Sequence, residues 1–430
     1  MMKKASVIIL SAIIALIMCS CGAAETIERI QGEMFKNARF EDDTNYTVVN
    51  APESVDSSEY TSNGEIIFGY DALVTDSQRK CYNLIKDAIY RISETPDENG
   101  FYPVGRVCIE DKTFTDIDMD VSIKAFTLDH PQVFWITNRY TYGSAGNQSI
   151  IQLYSYLSGS ECPKYIEELN NAVNEIMTAT PGGLKPYHLE KHIHNAVIEK
   201  CTYAKGIEEA EDGWEEFTSY GALVKGSAVC EGYAHAMCLL LNKVGIPCYY
   251  VNGYSEEAPH MWNTVKVGDN WYHLDATWDD DENAYYNFFN VNDEQIKTDH
   301  DIDILFTDVK KGDPLPTAYN IYLPECTSND ANYFVIESTY IDDFEESRDV
   351  MVSDLINSAE NGESMFTIRF GEDLEYNNAI DEMFNNEPYY MFRYIKEAND
   401  SLPDDHKISD EHLAIIMIET FNAVVVRLEY

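Results

Sequence analysis

A cysteine, a histidine and an aspartate stand in chain order at Cys230, His260 and Asp275, each inside a distinctive block. The blocks read Gly226-Ser227-Ala228-Val229-Cys230-Glu231-Gly232-Tyr233-Ala234, His260-Met261-Trp262-Asn263 and Trp271-Tyr272-His273-Leu274-Asp275-Ala276-Thr277-Trp278. A thiol becomes a nucleophile only beside a base, and the base needs an acceptor on its other nitrogen. These residue types suit covalent acyl transfer. Alone, Cys230 reads as a buried structural cysteine; the rest of the pattern overturns that reading.

The elements that must position them are legible. Val229, Tyr233, Ala236, Met237, Leu240, Leu241 and Val244 recur at helical spacing. Cys230 then falls in the first turn, where free N–H groups and partial positive charge stabilise a thiolate or an oxyanion. Gly232 and Ala234 are small beside the thiol and would let a substrate backbone approach. Gly245-Ile246-Pro247 ends the helix, and Cys248-Tyr249-Tyr250-Val251 reads as a strand. If Gly268-Asp269 is a two-residue turn, Val267 pairs with Asn270, Trp262 faces Asp275 and His260 faces Thr277. His260, Trp262, Thr264, His273, Asp275 and Thr277 then share a polar face toward a cleft. Met261, Val265, Val267, Leu274, Ala276 and Trp278 share an apolar face toward a core. His260 and Asp275 become diagonal neighbours with backbones roughly 7–8 Å apart, a distance their side chains span. A one-residue slip would separate them.

Over about residues 185–300 the chain resembles the transglutaminase-like superfamily of papain-type folds. The resemblance rests on Tyr220-Gly221-Ala222-Leu223-Val224 and the Val-Cys-Glu-Gly-Tyr-Ala, His-x-Trp-Asn and Trp-Tyr-His-x-Asp-x-Thr-Trp-Asp blocks. It implies Cys230 as nucleophile, His260 as general base and acid, and Asp275 as orienter. It also implies a nucleophile helix packed on an antiparallel sheet, with no metal and no cofactor. Asp129-His130-Pro131-Gln132-Val133-Phe134-Trp135 and His192-Ile193-His194 look similar to segments that flank such domains in bacterial surface proteins. Tyr220 and Trp262 are candidates for shaping an oxyanion site or acyl tunnel, and His273 for lining the cleft or packing.

Other residues fit chemistry less well. His235, five positions beyond Cys230, points roughly 140° around the helix from the thiol. His192 and His194 lack a third metal ligand. Asp279-Asp280-Asp281-Glu282 lacks an EF-hand pattern and reads as a solvated acidic turn.

The first 21 residues read as an export signal, with Lys3 and Lys4 before an apolar run from Ala5 to Met18. That run is shorter than the about 20 residues of a membrane span. Its end, Met18-Cys19-Ser20-Cys21-Gly22, resembles a lipobox, with Cys21 after small Ser20 as the lipidated residue. An ordinary cleaved signal or an uncleaved anchor is the plainer alternative. Residues 22–66 read as a polar tether, on the order of 35–40 Å in reach. Formal net charge is -45, too acidic for a phosphate-backbone binder, which excludes a nucleic-acid partner class. Eight cysteines follow Cys21; their irregular spacing and apolar contexts suggest mostly buried free thiols.

The expected architecture is α+β: an N-terminal mixed α/β domain over 67–183, a papain-like transglutaminase core over 184–316 and a small α+β domain over 317–430. The last is read as β-α-β-α-β-β, opening with a strand at Tyr333–Ile336. The expected partners are a protein or peptide substrate at the cell surface, and a bilayer through the N-terminal lipid. Water resolving an acyl-enzyme would make a protease or deamidase; an amine would make a transglutaminase. The alternative is a non-catalytic surface binding module on the same scaffold.

Overall fold

The computed structural model describes residues 46–49, 68–145, 148–207, 213–280, 286–309, 319–410 and 413–430. The signal segment, Cys21 and most of the expected tether lie outside these. Within the tether, β1 (Tyr46–Val48) pairs antiparallel with β2 (Arg91–Ser93), and Val49 is buried. Residues 46–49 are therefore docked on the fold, a correction to a tether running to 66.

The N-terminal region begins its first long helix, Asp76–Ala88, at a capping box: Thr75 accepts from the Gln78 N–H and Gln78 answers at the Thr75 N–H. Helix Asp116–Asp129 is capped the same way by Thr115 and Asp118. Strands β3 (Tyr102–Pro103), β4 (Val107–Ile109) and β5 (Ile136–Ala145) all pair with β6 (Gln148–Ser155). Strand β5 starts only at Ile136, because the apolar Val133 just before it closes a turn on the His130 carbonyl.

A short parallel pair, β7 (Thr202–Tyr203) with β8 (Ser227–Ala228), delivers the chain into helix Cys230–Lys243. That helix packs on an antiparallel sheet, as expected. The sheet comprises β9 (Cys248–Ser255), β10 (Ala258–Val267), β11 (Asn270–Leu274), β12 (Phe289–Val291) and β13 (His300–Ile302), ordered β12-β11-β10-β9-β13.

The C-terminal sheet is ordered β14-β15-β17-β16, from β14 (Thr339–Ile341), β15 (Met365–Phe370), β16 (Ala414–Ile418) and β17 (Ala423–Arg427). Tyr333–Ile336 is a helical turn capped by Asn332, not a strand, and β14 is the first strand of the β-α-β-α-β-β order. The helical stretch between β15 and β16 is interrupted. A wide turn at Asp381–Asn385 and Pro388, which has no N–H to donate, separate Tyr376–Ile380 from Tyr390–Asn399.

One apolar core runs through the N-terminal region and the Cys230 domain alike, from Val49 through Trp135 to Leu274. The boundary read at 183/184 divides the sequence but not the packing. The C-terminal sheet and helices enclose a separate core around Met351, Leu355, Ile368 and Tyr394. Among the described residues no helix is long and apolar enough to cross a membrane.

Candidate active site

Helix Cys230–Lys243 starts where the sequence places it, with extended Val229 as N-cap and no side-chain cap. Gly226, at φ +70°, turns the chain into β8 just before it. Cys230 is the first helical residue, so the positive end of the helix dipole lies beside its sulfur. The residue is 3 % exposed, nearly enclosed. Gly232 has a different role from the one expected. A Cβ there would stand 2.6 Å from the Glu216 carbonyl oxygen, so its smallness admits the Glu216–Thr218 turn, not a substrate.

The β10–β11 hairpin keeps the expected register: Val267 faces Asn270, Thr264 faces His273 and Asn263 faces Leu274. Two features differ. Strand β11 ends at Leu274, and Thr277 lies in the helical turn Ala276–Asp279, so it shares no strand face with His260. The polar face is also closed. Trp262, Thr264 and His273 are buried, and Val251, Val291 and Ile296 pack against the Trp262 indole.

Asp275 sits at the corner where strand becomes helix. Its Oδ1 accepts the N–H groups of Thr277 and Trp278, which caps the turn. Its Oδ2 lies 2.6 Å from His260 Nε2. A second imidazole, His300 on β13, brings its own Nε2 to 3.0 Å from the same oxygen. Burial opposes the Asp275 charge, but His260 and His300 outweigh it and hold the carboxyl well below its ordinary range. With Nε2 committed to Asp275, Nδ1 is the other nitrogen of the His260 ring. The ring is fixed by Trp262 at 5.9 Å and Trp278 at 6.3 Å between centroids.

The Cys230 helix is tied to this corner at two points. Asn263, on the strand that carries His260, donates from Nδ2 to the Ala234 carbonyl at 3.0 Å. Tyr233 donates its hydroxyl to Asp280, just after the Asp275-capped turn.

The three secondary candidates are held by other partners. Tyr220 donates to Glu168 at 2.6 Å and stacks on Phe134, a seam contact with the N-terminal region and not an oxyanion donor. Trp262 donates its indole N–H to His273 Nδ1 at 3.1 Å and stacks beside the His260 ring, supporting it from inside the sheet. His273 is buried between that indole and Asp293 at 3.1 Å, in the packing role. The acidic run is internal at its start: Asp279 is buried 3.2 Å from His194, and burial raises its carboxyl. His235 packs on Tyr250, and burial pushes it down to about 4.

Sequence reasoning missed His300. Its signal was faint: a histidine bracketed by Asp299 and Asp301, on a three-residue strand too short for periodicity.

Two groups lie within metal reach: His260, Asp275 and His300, and His273, Asp293 and Cys326. In the first, 2.6 Å is closer than two ligands stand on one zinc ion, roughly 3.3 Å at tetrahedral angles. In the second, the Trp262 donor occupies His273 Nδ1 and so leaves the proton on Nε2, the nitrogen a metal would need bare. Both fit proton-linked pairs. The eight cysteines among the described residues are free thiols, all buried but Cys108.

A family model described as the transglutaminase-like superfamily matches residues 173–276, a span that takes in Cys230, His260 and Asp275 and stops short of His300. None of the curated proteins compared matches the chain. Among solved structures the chain is similar to a candidate cysteine protease from Cytophaga hutchinsonii, at 16 % identity over 31 % of this chain and 55 % of that chain, TM-score 0.22. It is also similar to a TGase, at 14 % identity over 57 % and 66 % of the two chains, TM-score 0.27. The periplasmic domain of TgpA from Pseudomonas aeruginosa matches at 12 % identity over 56 % and 95 %, TM-score 0.22. The first two matches span less than two thirds of those structures' own length. Within this α+β fold, residues 173–276 belong to the transglutaminase-like superfamily.

Proposed function

We propose that the chain is an extracytoplasmic cysteine enzyme acting on amide bonds of proteins or peptides, held at a membrane by a lipid on Cys21. One observation carries the chemistry: His260 Nε2 lies 2.6 Å from an Asp275 oxygen in the family's matched span. Cys230 Sγ attacks the amide carbonyl as its proton passes to His260 Nδ1. The C–N bond breaks, and His260 returns that proton to the leaving amine. Backbone N–H groups at the start of the Cys230 helix offset the developing oxyanion. Water or a second amine then resolves the thioester, giving a peptidase, a deamidase or a transglutaminase. The signal-like residues 1–21 and the -45 charge support the location and the exclusion of nucleic acid.

The 3 % exposure of Cys230 favours a second reading, a binding module that keeps the scaffold without turnover. Alkylation by iodoacetamide separates them. The catalytic reading expects Cys230 to label at pH 5–6, with that labelling lost in His260→Ala. A rate that rises only toward pH 8–9, as for an ordinary thiol, leaves the binding module. Product masses from glutamine-containing peptides, with and without a primary amine, then assign the reaction.

A further inference from the structure

Asp275 receives more donors than positioning His260 requires. Four point at it: two backbone N–H groups on Oδ1 and two imidazoles on Oδ2. A carboxylate accepts about four hydrogen bonds, so its capacity is filled. His300 supplies the fourth, and it is held from both sides. Its Nδ1 lies 2.7 Å from Asp299 Oδ1 while Nε2 meets Asp275, and its side chain is fully buried. A ring with both nitrogens on carboxylates carries both protons, and with them a positive charge. Trp278 at 4.9 Å, Trp262 at 5.0 Å and Phe288 at 5.3 Å pack around it.

We propose that His300 is a positioning residue for acyl transfer, a second cation on the carboxylate that orients His260. The inference rests on the acyl-transfer reading above. It has two consequences. His300 locks the Asp275 carboxylate plane, so Oδ2 stays aimed at His260. It also tempers that carboxylate: with its centroid 5.3 Å from His260, its charge offsets part of the pull Asp275 exerts on the His260 proton. A base bound too tightly to its proton is a poor acid, and His260 must release that proton to the leaving amine. The charged and titratable groups around His300 are Asp275 from the β11 corner, His260 from β10, His273 from β11, and Asp299 and Asp301 beside it in sequence. Burial works against its charge, but Asp275 and Asp299 outweigh burial and hold the ring above its ordinary value.

The test is the pH profile of Cys230 alkylation in the full chain. The low-pH reactivity expected of the wild type should rise along an acid limb as the Cys230 thiol gives up its proton to become the thiolate. In His300→Gln, which keeps a donor but no charge, that limb should move up by about one to two pH units. Asp299→Asn, a change at a partly exposed residue that does not touch Asp275, should move it the same way by less. Long-range proton–nitrogen NMR of the wild type at pH 7 should show both His300 nitrogens protonated. A His300 protonated on one nitrogen, or variant limbs that superpose on the wild type while only the amplitude drops, overturns the inference and leaves acyl transfer standing. A wild-type thiol with no low-pH reactivity removes both.

Discussion

At the scale of single residues, one carboxylate does two jobs with two oxygens. Oδ1 of Asp275 ends β11 by capping the next turn, and Oδ2 holds His260 and His300. The division makes Asp275→Asn informative. The amide oxygen can keep the cap only if the NH₂ group takes the place of Oδ2. That NH₂ donates, so His260 Nε2 must become bare and its proton must move to Nδ1. Nδ1 is then unable to accept from a thiol. We expect the variant to fold, with alkylation at pH 6 falling on the order of 10²–10³-fold. That is the ratio between an ion-paired thiolate and a thiol of ordinary pKa near 8.5. Circular dichroism and the alkylation rate, measured together, check it; undiminished reactivity would mean the tautomer is set elsewhere. The sequence made Cys230, His260 and Asp275 legible because each sits in a block with its own element signal. His300 was hidden because its partner lies 25 positions away, just past the end of another strand, and no local pattern records that contact.

At the scale of elements, the hairpin register followed from Gly268-Asp269 and the alternation of apolar residues, because a slip would bury the wrong face. What the alternation did not reveal was whether the polar face met solvent. Ile296, beyond β12, packs there with Val251 and Val291 against Trp262, while Trp262 donates to His273 and His273 meets Asp293. Polar residues in strict alternation thus marked a buried hydrogen-bonded layer here. The same limit applied to Tyr333–Ile336, four apolar residues with no period long enough to separate turn from strand. Small residues were ambiguous too. Gly232 pointed to close approach, but the approaching group is the chain's own Glu216–Thr218 turn. Gly232→Ala should therefore push this turn off the Cys230 helix, because a backbone carbonyl cannot rotate away as a side-chain tip can. The expected cost is about 1–3 kcal/mol, read as a lowered urea midpoint. Alkylation of Cys230 should change with it, since the same turn flanks the first helical residues. An unchanged midpoint would show that the helix start has slack.

At the scale of the whole molecule, burial of ionisable groups in the shared core sets how stability responds to pH. Glu190 lies fully buried on helix Pro186–Lys200, with Asn290 donating to one oxygen, and burial raises its carboxyl to about 8. In the unfolded chain it ionises near 4.3, so between there and about pH 8 the folded state holds the extra proton and stability falls as pH rises. His300, also raised, contributes stability that is full below about 6.5 and is lost as pH climbs through its folded value. The lowered histidines act with opposite sign, but only on the acid side. His130 and His235, pushed down to about 4 by burial, stay neutral while the unfolded rings charge below about 6.5. Asp129, raised to about 6, works against them there, where it favours the folded state as pH falls. Above pH 8 the buried thiols join in. Cys81 and Cys162, raised to about 12, remain protonated where free thiols ionise. Among these groups, Glu190 and His300 thus act together between pH 6.5 and 8, and Glu190 has the larger shift. Wild-type melting temperature should fall across that interval, and Glu190→Gln, a neutral isostere that can still accept from Asn290, should remove most of the slope. The size is on the order of a few kcal/mol at pH 8. Thermal melts of both proteins at half-unit pH steps decide it: parallel curves would place the Glu190 proton loss in the folded state well below neutrality.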